Sequence, residues 1–209
     1  MASIYSFPMN TPEEERTGTA HTEDDIRPSR PAGVPDEVWH AVESVRVMRR
    51  LDGVDYREIP VPSASADYGI GVELECAERD GTGVRVASGW IMILYAGVAR
   101  SGWWSRWRCV AFASLPLEEG GDCLTSSMYW EDMADVLSGV DPSHLKGTVT
   151  VTQNTSFGGM EAEPHTGCEM RVSWTPAEPP EGVDAGAQVM AWARFLRASL
   201  RNGERETIE

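Results

Sequence analysis

The residues whose types and spacing could do chemistry gather in Trp103 to Arg108, WWSRWR. Aromatics interleaved with arginine on a strand can act as a platform for single-stranded nucleic acid: rings stack on bases and guanidinium groups meet phosphates. Read as a strand from about Trp103 to Leu115, the stretch divides by parity. Trp103 and Trp107 share a side with Cys109, Ala111 and Ala113, which is the pattern of a core face. Trp104, Arg106, Arg108, Val110 and Phe112 take the other side and form the candidate contact surface. Trp and Arg are enriched among interface anchors, so a protein contact is expected here ahead of RNA.

Other groupings are thinner. His165-Thr166-Gly167-Cys168 places two potential ligands close together, but no second pair follows at zinc-site spacing, and His21, His40 and His144 are scattered. Nucleophile elbows, Walker loops and dinucleotide fingerprints are missing from the sequence, and Gly81-Thr82-Gly83 reads as a hairpin turn. Carboxylates are plentiful, but spacing alone does not pair them. The sequence therefore assigns no catalytic, cofactor-binding or metal residue, and no cofactor is expected. Of the cysteines, Cys76, Cys109 and Cys168 fall in apolar strand patterns; with Cys123 they form no C-x-x-C pair, which predicts free thiols and a reducing, cytoplasmic setting.

Composition narrows the partners. The chain has 209 residues, 41% hydrophobic, with a formal net charge of -15. That balance suits one globular domain and opposes binding held mainly by phosphate contacts, so nucleic acid is not an expected partner. The apolar run from Val86 to Ala99 is shorter than the roughly 20 residues of a membrane-spanning helix, and its Gly89, Gly97 and β-favouring residues predict a strand; no membrane segment is expected.

The elements that must position these residues follow from periodicity. Residues 1–32 read as an acidic, disordered tail without a period. Pro35 to about Leu51 carries a helical stripe of Val38, Ala41, Val42, Val45 and Met48. Tyr56 to Pro62 reads as an extended segment fixed by its prolines. Tyr68 to Cys76 alternates as a half-buried strand, and Asp80-Gly81 signals a hairpin. The strand from Val84 to Tyr95 is apolar on both faces, so something must cover both. Glu118 to Asp122 is an acidic loop, and Ser127 to Ser138 a second helix. A strand around Val149 and Val151 follows, then a long connection from Ser156 to Gly167, a strand from Cys168 to Trp174, and a last helix capped by Asp184 and stopped at Asn202-Gly203.

The predicted fold is an α+β two-layer sandwich in residues 33–202, with a charged tail at 203–209. Its antiparallel sheet has about five strands in the order α-β-β-β-α-β-β-α, with helices on one face. That order is similar to the topology of bacterial secretion chaperones, which are homodimeric binding proteins; the analogy concerns fold and does not carry function.

Several segments carry a family resemblance: Glu58-Ile59-Pro60 with Pro62, Arg108-Cys109-Val110, Gly147-Thr148-Val149-Thr150 leading to Ser156-Phe157-Gly158-Gly159, and Arg171 to Pro176, RVSWTP. The chain from about Pro35 to Leu200 resembles an uncharacterised actinobacterial family, domain-of-unknown-function family three thousand. The resemblance implies no activity and no catalytic residue. The frequent placement of the family's genes beside one for ribonuclease D implies a link to RNA metabolism. Tyr95-Ala96-Gly97 departs from the family's more polar turn, and the stretch after Asn202 departs as well.

The expectation is a non-enzymatic, cytoplasmic binding or adaptor module that meets a protein partner, or a second copy of itself, through the second sheet face. An accessory factor in RNA metabolism is the alternative, and an enzyme using surface carboxylates comes third.

Overall fold

A strand that sets Ala87, Ile91, Ile93 and Tyr95 on one side needs a layer of helices above them, and the chain supplies that layer from three separate segments. The computed structural model describes residues 29–80, 83–117, 123–154 and 165–201. Its elements run α1 (Asp36–Val47), β1 (Asp55–Glu58), β2 (Tyr68–Asp80), β3 (Gly83–Tyr95), β4 (Trp107–Pro116), α2 (Cys123–Val136), a 3-10 turn (Pro142–His144), β5 (Lys146–Asn154), β6 (His165–Trp174) and α3 (Ala185–Arg201). The strands form one antiparallel six-stranded sheet in the order β1-β2-β3-β4-β6-β5.

This is a two-layer α+β fold. Residues of one parity on each central strand are buried: Ile70, Val72, Leu74 and Cys76; Ala87, Ile91, Ile93 and Tyr95; Trp107, Cys109, Ala111 and Ala113; Cys168, Met170, Val172 and Trp174. They form one core with Val38, Ala41, Val42 and Val45 of α1, Met133 and Leu137 around α2, and Val189, Trp192, Ala193 and Leu196 of α3. The other parity faces away from the helices.

Several boundaries depart from expectation: α2 starts at Cys123 rather than Ser127, β6 starts at His165 rather than Cys168, and three other departures have a visible cause. β1 is a sixth strand where the sequence indicated only an extended segment; antiparallel pairing with Val72 to Glu75 makes it one. α1 stops at Val47 rather than Leu51, because Met48 turns extended and the Leu51 N–H goes to the Tyr56 hydroxyl (3.1 Å) instead of a helical carbonyl. β4 starts at Trp107 rather than Trp103: Trp103 N–H bonds the Arg100 carbonyl, and Gly102 and Trp104 both adopt positive φ, so the chain is still turning there. The expected cap is present, with Asp184 Oδ1 accepting from Ala187 N–H at the start of α3 (2.8 Å). The expectations for residues 1–28, the turn at 81–82, the loop at 118–122, most of the connection after Ser156 and the segment from Asn202 lie outside the described residues.

Candidate contact surface

The face left open by the helices has an order that register makes explicit. One row across the sheet reads Arg57, Glu73, Trp90, Phe112, Arg171, Thr148. The next reads Gly71, Met92, Val110, Ser173, Lys146. Trp90, Met92, Val110 and Phe112 thus form an apolar square on the two central strands, and all four are only half-buried. Trp90 and Phe112 stack with ring centroids 6.0 Å apart and 22° between planes. The Arg171 guanidinium sits 5.4 Å from the Phe112 centroid and pairs with Glu169 at 2.9 Å. Arg57 pairs with Glu73 at the far end of the row.

Two ridges flank this floor. On the β2 side, Val61 and Ile59 lie over Gly69 and Gly71; a Cβ at Gly71 would stand 2.5 Å from the Ile59 carbonyl oxygen, so glycine is what lets that segment fold onto the sheet. The Tyr56 to Pro62 stretch therefore covers one margin of the open face and leaves the centre uncovered. On the β5 side stands Trp104, 54% exposed, stacked on His144 at 4.5 Å and 19°, with Lys146 Nζ 4.7 Å from its ring centroid. Its φ of 56° is unusual for a bulky residue and places the ring outside any strand. The result is a trough with an aliphatic rim, an aromatic rim and an apolar floor.

The five residues expected to form a contact surface fall in four places. Val110 and Phe112 lie on the floor. Trp104 stands on the rim. Arg108 is 6% exposed and bonds only neutral groups: the His144 carbonyl (3.2 Å), Thr175 Oγ1 (3.2 Å) and Ser173 Oγ (2.6 Å). Burial pulls its guanidinium pKa down, and its role here is to pin the 3-10 turn onto β6. Arg106 turns the other way, to the helix side, where it bonds Glu37 of α1 (2.7 Å) and the Tyr95 hydroxyl (2.9 Å). Met92, Trp90, Arg171, Lys146 and His144 complete the surface. Parity within the Trp103 to Leu115 stretch could not find them, because they come from neighbouring strands and a turn.

Among the described residues, no three of His, Cys, Asp and Glu come close enough to hold a metal ion. Cys168, half of the His-x-x-Cys pairing, is buried on the core face, and burial pushes its thiol pKa up to about 11. Cys76 is likewise raised to about 11, and Cys109 is raised further. All three are free thiols; the Cys123 side chain lies outside the described residues. None of the described helices is long and apolar enough to cross a membrane.

With the fold and face in view, comparison with known families is decisive on kinship. Residues 34–200 match the model of the family described as "Protein of unknown function (DUF3000)". The chain belongs to that family. No curated protein and no solved structure matches it. Among the described residues, the DUF3000 match opens at Val34, the first buried core residue, and closes at Leu200, the last.

Proposed function

We propose that this DUF3000 chain is a non-enzymatic binding or adaptor module that takes an apolar segment of a protein partner into the trough on its open sheet face. The carrying observation is the half-buried square of Trp90, Met92, Val110 and Phe112 on the sheet face that the helices leave free. A half-exposed aromatic centre flanked by paired charges, Arg57 with Glu73 and Arg171 with Glu169, has the layout of an interface with an apolar core and polar rim. Trp90 and Phe112 are the expected anchors, since large rings in a central, water-excluding position dominate interface energies.

A second reading has its own observation. Stacked aromatics on an open sheet with Arg171 and Lys146 beside them also suit single-stranded RNA, in keeping with the ribonuclease neighbourhood of the family. The carboxylates of Glu73, Glu75 and Glu169 on the same face, and the charge of -15, oppose it. The cytoplasmic setting and the secretion-chaperone analogy remain part of this proposal; β1 adds a strand to the order behind that analogy.

The test compares the wild-type chain with Phe112→Asp and with Val47→Asp, an exposed change on α1. Partners captured from the native host are identified by mass spectrometry, remade, and titrated against each chain. Loss of at least tenfold in affinity with Phe112→Asp alone, at unchanged stability, supports the reading; equal binding by all three chains sinks it. Tight binding of a single-stranded RNA homopolymer, abolished by Phe112→Asp, would replace the protein partner with RNA.

A further inference from the structure

The two edges of the sheet are built differently. β1 is four residues long, carries Asp55, Arg57 and Glu58, and runs into Pro60 and Pro62. Short length, charge and proline are the usual devices that stop an edge from pairing with another chain. Of these devices β5 has only a single charge. It is nine residues long, keeps an unbroken register with β6 from Lys146 to Asn154, contains no proline, and has Lys146 as its sole charge.

Antiparallel ladders alternate, which fixes what this edge presents. Ala96 N–H bonds the Arg106 carbonyl, so even-numbered residues of β4 point their backbone groups at β3 and odd-numbered ones at β6. Carried through the register, even-numbered residues of β5 bond β6, and the N–H and C=O groups of Gly147, Val149 and Val151 point outward. No described residue pairs with them. On the helix side of this edge α2 stands back and leaves a groove of about 330 Å³ lined by Ser126, Ser127, Trp130, Glu131, Gly147 and Val149. Gly147 lets the Trp130 ring pack directly against the strand: a Cβ there would lie 2.9 Å from that ring and 2.4 Å from the Arg171 carbonyl oxygen.

We propose that β5 is the site at which two copies of this chain join, edge to edge, about a two-fold axis at Val149. This site is separate from the trough and does not depend on it. An axis there sets Val149 against the second copy's Val149, and Gly147 against the second copy's Val151, so the three outward residues satisfy one another's backbone groups. Val151, 37% exposed, then lies across the seam from a residue without a side chain. Lys146 comes opposite the second copy's Thr152, and no carboxylate lies on the strand, so this is a seam where two copies of charge -15 meet without direct repulsion. The axis stands perpendicular to the sheet, which places both troughs on the same side of one continuous sheet and makes the assembly bivalent for a repeated partner.

The experiment is light scattering of the full chain over a dilution series, with hydrogen exchange read at single amides. The expected mass is twice that of one chain, with Val149 and Val151 amides protected at high concentration and exchanging freely on dilution. Val151→Lys, an exposed change, is expected to give monomers with an unchanged thermal midpoint and loss of that protection. Val149→Pro removes an outward N–H and is expected to do the same. A monomeric wild-type chain at every concentration overturns the proposal. So does a dimer that survives Val151→Lys, or one that is lost with Phe112→Asp but keeps the Val149 and Val151 amides unprotected.

Discussion

The Tyr95 hydroxyl donates to Glu37 Oε1 (2.6 Å) and accepts from Arg106 (2.9 Å), whose other amino group reaches Glu37 Oε2 (2.7 Å). One phenol thus ties the end of β3, the turn before β4 and the first turn of α1. Burial, and then the Glu37 hydrogen bond and charge, push its pKa up from 10.0 to about 12. A folded pKa above the unfolded one stabilises below pH 10, where the phenol is neutral in both states. That contribution is lost as pH rises towards 12, because the unfolded chain ionises first. The stability of the wild-type chain minus that of Tyr95→Phe, measured by denaturant titration, is therefore expected to fall between pH 10 and pH 12. A difference that stays flat across this window would show that the hydroxyl is not held as described. Parity alone placed Tyr95, Val110 and Phe112 on their faces, because each lies within a regular strand. It could not place Arg106, whose carboxylate partner is 69 positions away, nor Trp104, whose orientation is set by a turn with φ of 56°.

At the scale of elements, the helices were the easiest to read, because each carries its apolar stripe in its own sequence. The strands were legible where both neighbours are apolar. β1 was not, since Asp55 to Glu58 is a strand only by virtue of its partner, and the start of β4 was obscured by tryptophans that suit a strand but sit in a turn. The crossing of α1 and α3 rests on a detail invisible in either helix: Gly186, on the first turn of α3, lies against the backbone of Ser44, and its N–H bonds Ser44 Oγ (3.1 Å). A Cβ there would stand 2.4 Å from the Ser44 carbonyl oxygen. Alanine in place of glycine favours a helix by about 1 kcal/mol, but overpacking against a backbone atom costs about 1–3 kcal/mol. Gly186→Ala is expected to destabilise on balance, and Gly186→Val more so. An alanine variant as stable as wild type in urea, or more stable, would mean that the helices separate without cost and that this contact does not set their spacing.

At the scale of the whole molecule, the described residues share one core, into which the buried strand faces drain and which α1 and α3 help to close. That core begins at Val34, and the residues just before it hold on by surface contacts: Arg30 Nε donates to the Val34 carbonyl (2.7 Å), and the guanidinium pairs with Asp36. Exposed pairs of this kind contribute about 0–1 kcal/mol, whereas Val34 and the α1 stripe belong to the cooperative interior. A chain beginning at Ser29 should therefore unfold at the same midpoint as the full chain, and one beginning at Gly33 only slightly lower. For a domain of this size 1 kcal/mol moves the midpoint by about 2–4 °C, so calorimetry resolves the two cases. A chain beginning at Asp36 removes Val34 and should fall well below both. Should the chain from Ser29 already fall by more than this, residues 1–28 contribute to the folded unit, and the domain would have to be redrawn to include them.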